Sequence, residues 1–445
     1  MSRLLKTLAY FFGALLLIAV ATITTVDRSP IAEQDFYRET FDRLSTTPWE
    51  GSEGETWLAG WAKTNVTPPK PVDLVGYSPR GPYEFVQDSS FVKAITLSNG
   101  KTRIAWLNFE LLIVHPALAE AVENGIKKVG LPTDQVIFTA THTHSGLGGY
   151  MPGFLGDLAF GGYDEQVVDL LVQKSVKAIK QAIATQDTVS ISYRKTNAPD
   201  HVSNRFIKNG TYDPFVRQLI FSRKDGKKAL FFTYSAHATC LSSKFMGLSG
   251  DYPKFLTQNL EKREYDFALY AAGTVGSHRP MVKGNTPEKV QEYAASLDSV
   301  IWLRMSNFAS NKLPKVSHSR LDIGLREPHL RVSDRLRIRP WVFHQLVGKM
   351  PAYLDITQIG NILMISSSGE LSGVFYEEWE QLAQSQGLKL IVTVFNGSYI
   401  GYITPDELYN EHYHEVREMN WFGPGNGYYF DQLIKKTIQK AGQQN

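Results

Sequence analysis

Hydrophobic positions along this 445-residue chain fall into two regimes. The first is a single apolar run over 8–26, interrupted mainly by threonines. Its length suits one crossing of a bilayer. Arg3 and Lys6 precede it, and that positive flank predicts a cytoplasmic amino terminus with the remainder exported. Ala19-Val20-Ala21 is a small-residue stretch of the kind cut in signal peptides, so a cleaved, secreted form is the alternative. The apolar run continues past that stretch, which favours an uncleaved anchor. Residues 31–55 are polar with scattered aromatics and read as a linker or short helix.

The second regime begins near residue 56, where short β-branched runs ending in Gly, Ser or Asn alternate with helical periodicity. Strands are predicted over 91–97 and 103–107, joined at the hairpin dipeptide Asn99-Gly100, and over 136–140, 229–234, 267–271, 362–365 and 390–395. Helices are predicted over 116–129, opened by Pro116 and stopped by Gly130, and over 164–183, 289–308 and 431–441. Such alternation specifies an α/β fold, one large domain with a mixed sheet behind the N-terminal membrane helix. Segment 326–349 holds six Lys/Arg against two acids with apolar residues between them. It reads as a pair of strands with a solvated basic face, or as a surface resting on an anionic bilayer.

Composition narrows the chemistry. With 43% hydrophobic and 20% charged residues the chain can bury a large core, so disorder is excluded. A net charge of +3 is too small to argue for nucleic acid. The one cysteine, Cys240, excludes an internal disulfide and any multi-Cys zinc knuckle. A bound metal must therefore be held by His, Glu, Asp or Tyr.

The loops that follow the predicted strands carry those residue types. Thr141-His142-Thr143-His144-Ser145-Gly146 follows 136–140, and Ser235-Ala236-His237 follows 229–234. Ser366-Ser367-Ser368-Gly369-Glu370 follows 362–365, and the stretch from Asn396 to Tyr402 follows 390–395. In open α/β sheets such loops converge on one crevice, so two histidines, a glutamate and a tyrosine from distant positions can share one metal. His142 and His144, two apart on an extended segment, would point to the same face. Each residue also has a plainer reading: the histidines as hydrogen-bonded loop residues, Glu370 as a solvated carboxylate or cap, Tyr402 as a core aromatic.

The motif from Thr141 to Gly146, with Gly148-Gly149-Tyr150 behind it, resembles the THTHSGPGGY motif of the neutral (non-lysosomal) ceramidases, zinc amidases that cleave the N-acyl bond of ceramide. Further segments resemble family landmarks in order: Asn65-Val66-Thr67-Pro68, Leu74-Val75-Gly76-Tyr77, Asn204-Arg205, His237 with Ser249-Gly250-Asp251, and Gly369-Glu370. The block Tyr399-Ile400-Gly401-Tyr402-Ile403-Thr404, followed by Tyr409, Glu415 and Phe422-Gly423-Pro424, completes the series. The resemblance implies Zn2+ held by His142, His237, Glu370 and Tyr402, with His144 as substrate-binding or acid/base group and Arg205 near the scissile amide. It implies a membrane-anchored, exported zinc hydrolase of the sphingolipid class, in which zinc-activated water attacks an N-acyl amide of ceramide or a related lipid. Residues 56–445 would form that hydrolase domain, with the family's C-terminal immunoglobulin-like domain missing. Cys240, three residues after His237, is not expected to ligate, because the family fills its site without it.

Two departures bear on the substrate. Where the family carries a GDxSP segment with a proposed nucleophilic serine, this chain has Gly276-Ser277-His278-Arg279-Pro280, with Arg279 at the serine position. Water is then the expected nucleophile, with His278 or Arg279 touching a polar or anionic part of the substrate or Arg279 forming a structural ion pair. A family tyrosine is replaced by His414 beside Tyr413, which changes a group expected to touch the substrate. A different amide or ester substrate, and a non-catalytic binding protein that keeps the fold, are the competing readings.

Overall fold

The computed structural model describes residues 3–77, 79–303, 309–311 and 314–444. Strand runs in this chain are continuously apolar because the sheets are covered on both faces. The larger sheet is mixed. Its order is Phe267–Ala272, Lys228–Tyr234, Phe215–Arg223, Asp187–Asn197, Leu58–Asn65, Phe91–Ser98, Arg103–Phe109 and Gln135–Ala140, with Ala309–Asn311 attached to Asp187–Asn197. Only the two outermost pairs are parallel. A five-stranded sheet runs Glu50–Glu53, Lys315–Asp322, Tyr353–Ile359, Ile362–Ser367, Lys389–Val394, and its last pair is parallel.

Period-2 alternation assigns each face. Ile95, Trp106, Ile137, Phe221 and Phe231 of the larger sheet share one buried cluster with Ile359, Ile362, Met364 and Ile391 of the smaller. The sheets therefore pack face to face. Their opposite faces carry Val92, Phe109, Phe138, Leu230 and, from the smaller sheet, Leu363 and Val392, all in the main core with the helices. Pro116–Lys128, Glu165–Ala184, Asp251–Arg263 and Pro287–Leu303 cover the larger sheet, and Tyr376–Ser385 and Asn426–Gly442 the smaller. One mixed sheet was expected, and the smaller second sheet is what closes its inner face.

Most predicted elements fall within a few residues of the observed ones. The helix expected at 164–183 spans Glu165–Ala184, with the Asp164 side chain accepting from the Gln166 N–H as its cap. The helix expected to reach 308 is described to Leu303, and 304–308 lie outside the described residues. The helix expected from 431 starts a turn earlier, at Asn426.

Two stretches that pack near the end of the N-terminal apolar helix differ in part from the expectation. Of the linker or short helix expected over 31–55, the structure holds a helix, Asp35–Thr46, and adds the strand Glu50–Glu53, which pairs with Lys315–His318. Leu44 is buried, and Tyr37 and Phe41 pack on Tyr429. Segment 326–349 is not a pair of strands. It forms one strand, Leu336–Ile338, and the helix Pro340–Val347. Three of its six cations are internal, among them Arg326, which donates to the Asp27 and Ser29 carbonyls, and Arg331, which donates to those of Tyr409 and Val416. The apolar helix ends at Thr22, where Ile23–Thr25 pairs antiparallel with Leu336–Ile338.

Candidate metal centre

Strand ends build the centre. After Gln135–Ala140 the Thr141 N–H still bonds the Phe109 carbonyl, and then His142 turns left-handed at φ 62°. An unbranched imidazole tolerates that region better than a β-branched residue does, but it remains uncommon outside functional turns. The segment is thus not extended, and the two-residue alternation expected for His142 and His144 does not apply. The rings converge through the turn instead.

Each of the three imidazoles is fixed by its Nδ1. His142 Nδ1 lies 2.7 Å from the Leu112 carbonyl, His144 Nδ1 2.9 Å from that of Gly76, and His237 Nδ1 3.4 Å from that of Val275. Nδ1–H donation to these carbonyls leaves Nε2 as a bare lone pair on every ring. The three Nε2 atoms face each other at 2.9, 2.9 and 3.4 Å. Gly76 has φ 106°, and a Cβ there would lie 2.5 Å from the His144 Cα, so only glycine lets that loop support the ring.

Glu370 and Tyr402 enter on a short parallel ladder that places them opposite one another. Glu370 is fully buried, and its Oε1 lies 3.6 Å from His142 Nε2 and 3.6 Å from His237 Nδ1. Tyr399 donates to Oε2 at 3.1 Å, whereas Oε1 has no hydrogen-bond partner. Burial pushes the carboxyl up to about 8 and holds His142 and His237 well below the usual imidazole value, with His144 brought down to about 3. Arg205 Nη2 donates to the Tyr402 hydroxyl at 3.2 Å and pairs with Glu415 at 3.1 Å.

Three neutral imidazoles whose Nε2 atoms converge on one point, beside a buried carboxyl oxygen without a hydrogen-bond partner among the described residues, make a ready seat for a cation. The donor set of imidazole and carboxylate fits zinc. Among the described residues, His142, His144 and His237 form the one such group gathered closely enough to hold a metal.

All of these side chains open on a cavity of about 560 Å³ whose wall is mainly apolar, including Leu112, Met151, Leu155, Phe160, Met350 and Trp421. That size is typical of small-molecule sites. A second hollow of about 450 Å³, lined by Glu123, Lys127 and Arg320, opens at the far end of the sheet, beside the start of Gln135–Ala140. His414 stands on the rim of the first cavity and is largely solvated. The segment around His278 is elsewhere. His278–Pro280 pairs with Val202–Asn204, which turns Arg279 out to solvent, where its Nε donates to Ser203. His278 is fully buried, accepting from the Asp213 N–H at Nε2, with Nδ1 3.1 Å from Ser277. Ser277 is fully buried and accepts from Ser372. None of the three lines the cavity, so the expected substrate contacts from His278 and Arg279 are not found. Ser277→Ala is accordingly expected to keep turnover within about twofold, read as kcat/KM. A loss as deep as that of a histidine variant would restore a covalent serine route. Cys240 is buried with its thiol bonded to Asp251, away from the three rings.

Four contributors were given no role from the sequence, although Tyr77, Tyr399 and Glu415 stand in the family-like segments. Tyr77 lies against His144 with ring centroids 5.0 Å apart, and Phe395, itself at φ 65°, stacks on His142 at 4.2 Å. Tyr399 holds Glu370, and Glu415 holds Arg205. The available signals were that resemblance and proximity in the chain, Tyr399 to Tyr402 and Glu415 to His414.

Residues 57–274 match the family described as neutral/alkaline non-lysosomal ceramidase, N-terminal. A solved structure of neutral ceramidase from Pseudomonas aeruginosa is similar at TM-score 0.74 and 16% identity, covering 88% of this chain and 75% of that one. A ceramidase complexed with C2 gives 0.74 at 15% identity, with 87% and 76% covered. No curated protein sequence matches the chain. At these identities the structural likeness establishes the fold, and the match places residues 57–274 in the neutral/alkaline non-lysosomal ceramidase family, as its N-terminal part.

Proposed function

We propose that this chain is a zinc-dependent amidohydrolase that cleaves the N-acyl amide bond of ceramide or a related N-acyl lipid at the membrane surface. The carrying observation is the convergence of three bare Nε2 atoms and the orphaned Glu370 Oε1 at the floor of an apolar cavity. In this reading His142, His237, Glu370 and Tyr402 hold the ion. His142 and His237 are the imidazoles that flank Glu370, and no approach of His144 to that carboxylate is found among the described residues. The chemistry zinc supplies when bound is Lewis acidity, which polarises the amide carbonyl and brings the pKa of water to roughly 7.

His144 takes a proton from the attacking water and delivers it to the nitrogen as the C–N bond breaks. Arg205, anchored by Glu415, steadies charge that develops on the carbonyl oxygen. The apolar walls hold the chains of the substrate and exclude bulk water from the reacting bond.

The test is a panel of ceramides, other N-acyl amides and esters, run on the full chain as purified, after chelation and after zinc is restored. Ceramide turnover that chelation abolishes and zinc recovers is expected. Turnover of another amide with ceramide untouched would replace the substrate, and stoichiometric metal with no turnover at all would favour the non-catalytic binding protein.

A further inference from the structure

The apolar helix Arg3–Thr22 is long enough, at about 30 Å, to cross a bilayer, and none of it is buried against the domain. Its exit is not loosely tethered. Arg339 donates from its backbone N–H to the Thr22 carbonyl at 2.7 Å and from Nε to that of Val20 at 3.1 Å. Trp341 donates from its indole N–H to the Ala21 carbonyl at 3.2 Å. A cation and an indole thus hold the last carbonyls of the span, and Ile23–Thr25 is zipped to Leu336–Ile338 immediately after. The domain is therefore presented to the bilayer in one orientation.

What that orientation brings to the lipid follows from the next contacts. Helix Pro340–Val347 packs on the short helix Phe154–Ala159. The inner side chains of the latter, Leu155 and Ala159, line the cavity, as does Met350 just beyond Pro340–Val347. Its outer side chains, Phe154 and Leu158, stand four apart on one face and are 56% and 53% exposed. Trp341 is 55% exposed, and Arg335 and Lys349 are exposed nearby. Large apolar side chains left in water at a cavity lip, flanked by a tryptophan and cations and joined directly to a membrane span, match the composition of an interfacial surface.

We propose that the lip formed by Phe154–Ala159 and Pro340–Val347 docks into the bilayer crossed by Arg3–Thr22, with Phe154, Leu158 and Trp341 at headgroup level, so that the cavity is filled from the membrane. The docking rests on the membrane-crossing reading of Arg3–Thr22, and its use in loading substrate rests on the proposed function.

The experiment uses the full chain in vesicles of phosphatidylcholine and phosphatidylserine. Cys240 is buried, so an introduced cysteine takes the polarity-sensitive label. Leu158→Cys is compared with Lys101→Cys, an exposed site on the hairpin at the far end of the sheet. The label at 158 is expected to shift to the blue and lose intensity with lipids brominated in the acyl chain, and the label at 101 to do neither. Equal behaviour at both sites overturns the proposal, as does a blue shift at 158 that brominated lipid does not quench, which would mean a second copy covers the lip. In a second arm, Phe154→Ser with Leu158→Ser is expected to lower turnover of vesicle-embedded substrate roughly tenfold and leave that of a soluble short-chain substrate unchanged. An equal fall on both substrates would count against loading from the membrane. Quenching at 158 without any turnover would sink the proposed function and leave the docking standing.

Discussion

His237→Ala is expected to purify without stoichiometric zinc and to lose turnover with it. The His237 Nε2 lies 2.9 Å from those of both His142 and His144, so this ring is shared by the two closest pairs of the cluster. Removing it leaves one assigned imidazole, a carboxylate and a phenol. If roughly 10–16 kcal/mol of zinc affinity is divided over four ligands, one ligand is worth about 3 kcal/mol, or about a hundredfold in affinity. Glu370 suffers as well, because its Oε1 already has no hydrogen-bond partner and relies on a nearby positive charge to remain ionised when buried. Metal analysis of the purified variant beside kcat/KM provides the check. Full zinc content, or unaltered turnover by metal-free protein, would contradict the assignment.

His144→Ala separates ligand from acid/base group. The four assigned ligands remain in this variant, so zinc content should hold while kcat falls by about 10²–10⁴, the range for loss of a positioned proton-transfer group. The geometry makes the experiment sharp, since His144 Nε2 sits as close to His237 as His142 does. Its distinguishing feature is the lack of a close approach to Glu370 among the described residues, together with its contact with Tyr77 and its partial exposure, where the other two rings are buried. If zinc is lost together with activity, His144 joins the ligand set, and the proton must be delivered by another group on the cavity.

The strand-end residues were legible because hydrophobic runs stop where a strand leaves the core. His142, His237 and Glu370 each follow such a run within a few residues, and Tyr402 lies in the loop that follows another. The route from pattern to geometry was less faithful. The left-handed turn at His142 replaces the extended segment assumed for the two histidines, and it depends on the Leu111 and Leu112 carbonyls that receive His142 N–H and Nδ1. Those carbonyls belong to a different loop. His278 and Arg279 show the reverse failure. Proximity to a predicted strand made them candidates, but pairing with Val202–Asn204 turned one into the core and the other to solvent.

Local pattern alone determined the apolar span, the alternation of strands and helices, and the chemical types at the strand ends, because periodicity and chain-terminating residues act over a few positions. Only the folded chain decided that a second sheet covers the first and that residues 23–25 lock onto 336–338. The meeting of three Nε2 atoms at one point was likewise decided there. Those outcomes depend on partners tens to hundreds of residues away, whose backbone carbonyls and packing surfaces exist only once the sheets have assembled.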